Sequence, residues 1–102
     1  MTLHVMLSLD LSDIDNQRYY FNGYLAENSW EKLNEVDTVW HRTYNYVQNQ
    51  DNVVADELKK LLKKAAEKFE PSSIEYVAQI GNAAPIKAVW VKTTAGYQHR
   101  TR

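Results

Sequence analysis

Between Thr2 and Asp10 the chain alternates: Leu3, Val5, Leu7 and Leu9 are separated one by one by His4, Met6 and Ser8. A period of two sends the four aliphatic side chains to one side of a strand and leaves the other side half polar. Such a strand cannot bury its apolar side alone. It needs strands to pair with and a second layer to cover it. With 102 residues the chain can supply one such core and no more, so a single domain is expected over residues 1–93.

The covering layer is legible further on. From about Asn52 to Phe69 the apolar residues Val54, Leu58, Leu61, Ala65 and Phe69 recur at helical spacing, while lysines occupy the other faces. Asp56 and Glu57 near its start and lysines toward its end suit the helix dipole, and Pro71 stops it. A first, weaker helix is expected after the opening strand. Ser12 or Asp13 offers an N-cap oxygen, Asp15 a favourable charge, and Ile14, Phe21, Tyr24 and Leu25 an apolar stripe ending near Asn28-Ser29.

The segment Trp30–Tyr46 is rich in Val, Thr, Trp and Tyr and reads as two short strands around the turn Asn34-Glu35-Val36-Asp37. Gln48–Asn52 is a polar break. Ile74, Tyr76, Ala78 and Ile80 alternate again, and after "GNAAP" the run "IKAVWVKTT" reads as a further strand. Residues 94–102 form a polar, basic tail, expected to be loose at its end. The order β-α-β-β-α-β with an added C-terminal strand most economically gives an α+β ferredoxin-like sandwich. An antiparallel sheet of four to five strands would carry two helices on one face. His4, Met6, Ser8 and Asp10 would then look out from the opposite face, a natural surface for a second copy or another partner.

Several classes are excluded or disfavoured by composition. Without cysteine there is no disulfide framework, thiolate metal site or thiol nucleophile. A net charge of −1 exerts no global pull on nucleic acid or acidic lipid, so such binding needs a local patch. No window approaches the ~20 apolar residues of a membrane span, and the first residues lack the pattern of a secretory signal. A cytoplasmic protein without membrane contact is the expectation.

The stretch "LDLSDIDNQRYYFNGYL" resembles the opening of the small CRISPR-associated adaptation subunit, a ferredoxin-like protein of nuclease type. In that family a first strand ends in an aspartate, a second acidic residue follows, and the first helix carries an arginine. Asp10, Asp13 and Arg18 stand in that order, and Trp30 and "TVW" echo the family's next strand. The same fold serves the GhoS-type antitoxin endoribonucleases and the VapD-type ribonucleases. The resemblance implies a small homodimer handling RNA or DNA, an endoribonuclease of a defence or toxin–antitoxin system, with Asp10 as the working carboxylate. Two such aspartates meeting across a dimer would share a Mg²⁺ ion. As a plain structural residue, Asp10 would mark a strand end and Asp13 a helix start.

"WHRTYNY" offers a metal-free alternative. His41 has the proton affinity of a general acid or base and Arg42 the charge to stabilise a phosphorane, with His4 as a second proton carrier if the two strands pair. Alternation, however, sends His41 and Arg42 to opposite faces, and a hydrogen-bonded histidine in an aromatic strand accounts for the same residues. Tyr19, Tyr20, Tyr44 and Tyr46, with Arg18 and Arg42 nearby, suit stacking on single-stranded bases, yet equally suit a protein interface. Lys60 and Lys64 belong to a lysine set that is either a solvated helix face or, beside "HRTR" of the tail, a phosphate-tracking patch. The rival to the nuclease is therefore a non-enzymatic inhibitor or antitoxin that binds a protein through its aromatic hairpin or its sheet face.

Overall fold

The computed structural model describes residues 2–33, 38–45 and 51–102. The expected Asn34–Asp37 turn, Tyr46 and most of the Gln48–Asn52 break lie outside them. Strand β1 (Thr2–Ser12) leads through a turn of 3₁₀ helix (Asp15–Gln17) into helix α1 (Arg18–Glu27). Strands β2 (Glu31–Lys32) and β3 (Val39–Asn45) follow, then helix α2 (Asp51–Phe69). Strands β4 (Ser73–Ile80), β5 (Ile86–Thr93) and β6 (Gly96–Thr101) complete the order.

All six strands form one antiparallel sheet in the order β2-β3-β1-β4-β5-β6. Each helix therefore crosses over a strand inserted later or earlier in the chain: α1 links β1 to β2 past β3, and α2 links β3 to β4 past β1. Leu3, Val5, Leu7 and Leu9 share one core with Phe21 and Leu25 of α1 and with Val54, Leu58 and Leu62 of α2. Both helices thus cover the same side of the sheet. On α2 the buried stripe runs Val54, Leu58, Leu62, Ala65, Ala66, Phe69; Leu62 takes the place expected of Leu61, which is only half-buried. Trp90 of β5 fastens the layers, its indole N–H donating to the Lys59 carbonyl oxygen at 3.2 Å.

Three expectations need correction. Among the described residues the sheet has six strands, more than the four to five expected, because residues 96–101 pair with β5. Nor is the tail loose: alternation turns Tyr97 and His99 toward the helix side, where Tyr97 donates to the Pro71 carbonyl at 2.5 Å and His99 meets Tyr76 at 2.7 Å. Gly96, at φ +106, makes the tight return possible. Finally, neither Ser12 nor Asp13 caps α1. Ser12 is still in β1, while Asp13 takes a positive φ of 57 and accepts a hydrogen bond from the Ser72 hydroxyl at 2.7 Å. The end of α1 is where the sequence places it, with the Asn28 side chain bonded to the Tyr24 carbonyl at 2.8 Å.

The turn after β4 depends on Gly81. Its φ of +54 suits glycine, and a Cβ there would stand 2.8 Å from a methyl carbon of Leu3. Its N–H donates to the His4 carbonyl at 2.9 Å, tying the turn to the start of β1.

Candidate functional sites on the sheet and beside the first helix

Register assigns each candidate side chain to a face. Val5, Leu7 and Leu9 look toward the helices, so their cross-strand partners Arg42, Trp40 and Tyr76 do too. Met6, Ser8 and Asp10 look the other way, with His41, Val39, Gln79, Val77 and Glu75 as their partners. Among the described residues no helix covers that second face.

Asp10 is not at a strand end; it lies inside β1, opposite Glu75 of β4. Ser8, Asp10, Glu75, Val77, Lys87 and Arg102 surround a shallow hollow of about 270 Å³. Two carboxylates facing each other on neighbouring strands would repel, and Arg102 relieves this by binding Glu75 at 2.7 Å. For Mg²⁺ the donor set within one chain fits poorly: the second carboxylate is already claimed by a guanidinium. Among the described residues no group of three His, Cys, Asp or Glu side chains could hold a metal ion.

His41 and Arg42 point to opposite faces, and they do not form one site. His41 lies on the uncovered face, 3.6 Å from Glu31, with His4 as a diagonal neighbour across the β1–β3 pair. Arg42 is engaged on the helix side. It donates to the Asn28 carbonyl at 3.0 Å and to Glu57 at 3.3 Å, and its guanidinium sits 4.3 Å from the Tyr44 ring centre. Tyr44 in turn donates to Glu57 at 3.4 Å, and its hydroxyl pKa is pushed up to about 12, chiefly by burial, with Glu57 adding to the rise and Arg42 opposing it. A tyrosine clamped in this way is not free to stack on a base.

The lysine patch is divided. Lys60 is paired with Asp56 at 2.9 Å, and Lys63 and Lys68 rest over Trp90 and over Tyr24 and Phe69. Lys64 is exposed on the same helix. Arg100, by contrast, pairs in register with Val89 on the uncovered face, where Arg102 also reaches Glu75. The sheet stands between the two basic sets.

A larger depression of about 1380 Å³ runs beside α1 and around the β2 edge. Tyr19, Tyr20, Tyr24, Trp30, Trp40 and Phe69 line it, together with Gly23, His41 and Lys68. Tyr19 and Tyr20 are 80% and 64% exposed, and their rings meet edge to face at 5.5 Å. Trp30 is buried at its base, and its indole N–H finds no hydrogen-bond acceptor among the described residues. Arg18 lies half-buried at the start of α1. Sequence pattern alone flagged the tyrosine pair but could not join it to Trp30, Trp40 and Phe69, which come from three other parts of the chain.

Comparison with family models, with curated proteins and with solved structures gives no match for this chain. No described helix is long and apolar enough to cross a membrane.

Proposed function

We propose that this chain is a non-enzymatic protein-binding module, of the inhibitor or antitoxin kind, which seats a partner's polypeptide segment in the aromatic groove beside α1. The observation that carries the reading is the exposed Tyr19–Tyr20 pair standing over a groove floored by Trp30, Trp40 and Phe69. Tyrosine and tryptophan supply large contact area at little conformational cost, and interface energy concentrates on such residues. The groove carries Glu27 and Glu31 against Lys32 and Lys68, a balanced set that suits a polypeptide better than a phosphate chain. We read β2-β3-β1-β4 with its two crossing helices as a ferredoxin-like core extended by the β5–β6 hairpin; the strand order supports this.

A selected peptide library tests the proposal. Peptides enriched on the parent protein are expected to lose binding by about tenfold or more on Tyr19→Ala and Tyr20→Ala, while Asp10→Ala retains it. Peptide binding that survives both tyrosine changes overturns the reading.

A second reading, a nucleic-acid-handling nuclease centred on Asp10, is favoured by one observation: Asp10, Glu75, Lys87 and Arg102 share a hollow. It requires cleavage of labelled RNA or DNA that disappears in Asp10→Ala. Cleavage lost instead in His41→Ala would favour the metal-free route.

A further inference from the structure

We infer that the uncovered sheet face is the interface of a homodimer, packed sheet to sheet about a two-fold axis parallel to the strands and passing over β4. Three features of the face support a second copy as its occupant.

Its middle exposes two apolar side chains. β1 and β4 are the two central strands, and their Met6 and Val77 are 49% and 41% exposed, diagonal to each other in the register. Val39 and Val91 extend this surface toward the two sides.

Its charges are self-complementary and unspent. Asp10 on β1, Lys87 on β5 and Arg100 on β6 make no ion pair with the described residues. An axis over β4 lays β1 of each copy across the partner's β5, setting Asp10 opposite the partner's Val89, with the partner's Arg100 beside it and the partner's Lys87 one outward position along β5, twice by symmetry. Val77 then packs on its own symmetry mate. Glu75 also lies near the axis, but it arrives already bound to Arg102 and so does not present a bare carboxylate. The two Asp10 side chains are kept apart, each facing cations rather than the other.

Its size suffices. Strands β3, β1, β4, β5 and β6 overlap in this arrangement. At about 4.8 Å spacing and a depth of roughly 25 Å they offer on the order of 600 Å² per copy before side-chain relief, near the ~800 Å² of a standard interface. β2 overhangs the contact, so the aromatic groove around it stays open and the dimer presents two grooves. The inference does not depend on what the groove binds.

Sedimentation velocity of the full chain over a concentration series tests it, with circular dichroism to verify folding. The parent is expected to form a dimer that Val77→Arg, Asp10→Lys and Lys87→Asp each weaken by about tenfold or more. The double variant Asp10→Lys/Lys87→Asp is expected to regain association, a result that misfolding cannot imitate. A parent that stays monomeric throughout overturns the proposal, as does a dimer indifferent to Val77→Arg. Failure of the double variant to recover would overturn the charge pairing and with it the axis over β4.

Discussion

Arg102 and Glu75 stand 2.7 Å apart on the uncovered sheet face, their ion pair crossing β5 from the β6 side to β4. The Arg102 backbone N–H donates to the Lys87 carbonyl at 2.8 Å, while Glu75 and Arg100 both pair in register with Val89. The bridge therefore passes beside Val89, which accounts for a valine only 3% exposed on the face turned away from α1 and α2.

This pairing makes the β6 segment part of the structure. Removing residues 94–102 would strip one edge of β5 and delete the Tyr97–Pro71 and Tyr76–His99 hydrogen bonds along with the ion pair. The expected result is a loss of several kcal/mol, read as a lower denaturant midpoint in urea unfolding. Arg102→Ala alone should cost only about 0.5–1 kcal/mol, because the pair is partly solvated.

The Tyr76–His99 contact predicts a pH dependence. Burial, with the positive charge of Lys59 adding to it, lowers the His99 pKa from its ordinary 6.5. The Tyr76 hydroxyl is pushed up to about 12 by burial, so it keeps its proton and donates to the neutral imidazole. Trp90 of β5 packs edge-on against the same ring at 4.9 Å, and Lys59 approaches from α2. Above about pH 6.5 the histidine is neutral in both folded and unfolded chains, and its contribution is fully present. As pH falls through the lowered folded value, the unfolded chain takes the proton first and stability is lost. Urea midpoints measured from about pH 7.5 down to about pH 5 should fall, and His99→Phe should flatten that part of the slope.

How far the sequence revealed this molecule depends on which forces act locally. The alternation of Leu3 to Leu9 and the α2 stripe are local patterns, and α2 and the faces of residues Leu3 to Asp10 follow from them, while α1 follows from its own stripe at Phe21 and Leu25. The tail was opaque because Gln98, Arg100 and Arg102 read as solvated polar residues. Only register against β5 gives Tyr97 and His99 a core to face. The candidate site failed to assemble for the same reason. Asp10 has Glu75, Lys87 and Arg102 as neighbours, residues 65 or more positions away in the chain, and no spacing rule connects them. His41 and Arg42, adjacent in sequence, are separated by the sheet itself, and that much alternation does foretell.

Arg42 separates a structural from a catalytic role most sharply. Its guanidinium holds the Asn28 carbonyl at the C-terminal end of α1, the Glu57 carboxylate of α2 and the face of the Tyr44 ring, so one side chain joins β3 to both helices. Arg42→Ala would leave that carbonyl and carboxylate to water and remove the cation from the tyrosine. A loss of about 1–3 kcal/mol is expected, seen as a lower thermal midpoint. Arg42→Lys should recover only part of it, since an ammonium cannot span two acceptors and stack at once. Peptide binding in the groove is expected to survive both changes at temperatures where the protein is folded. A stability indistinguishable from the parent, paired with loss of nucleic-acid cleavage, would instead return Arg42 to the catalytic role that the sequence suggests.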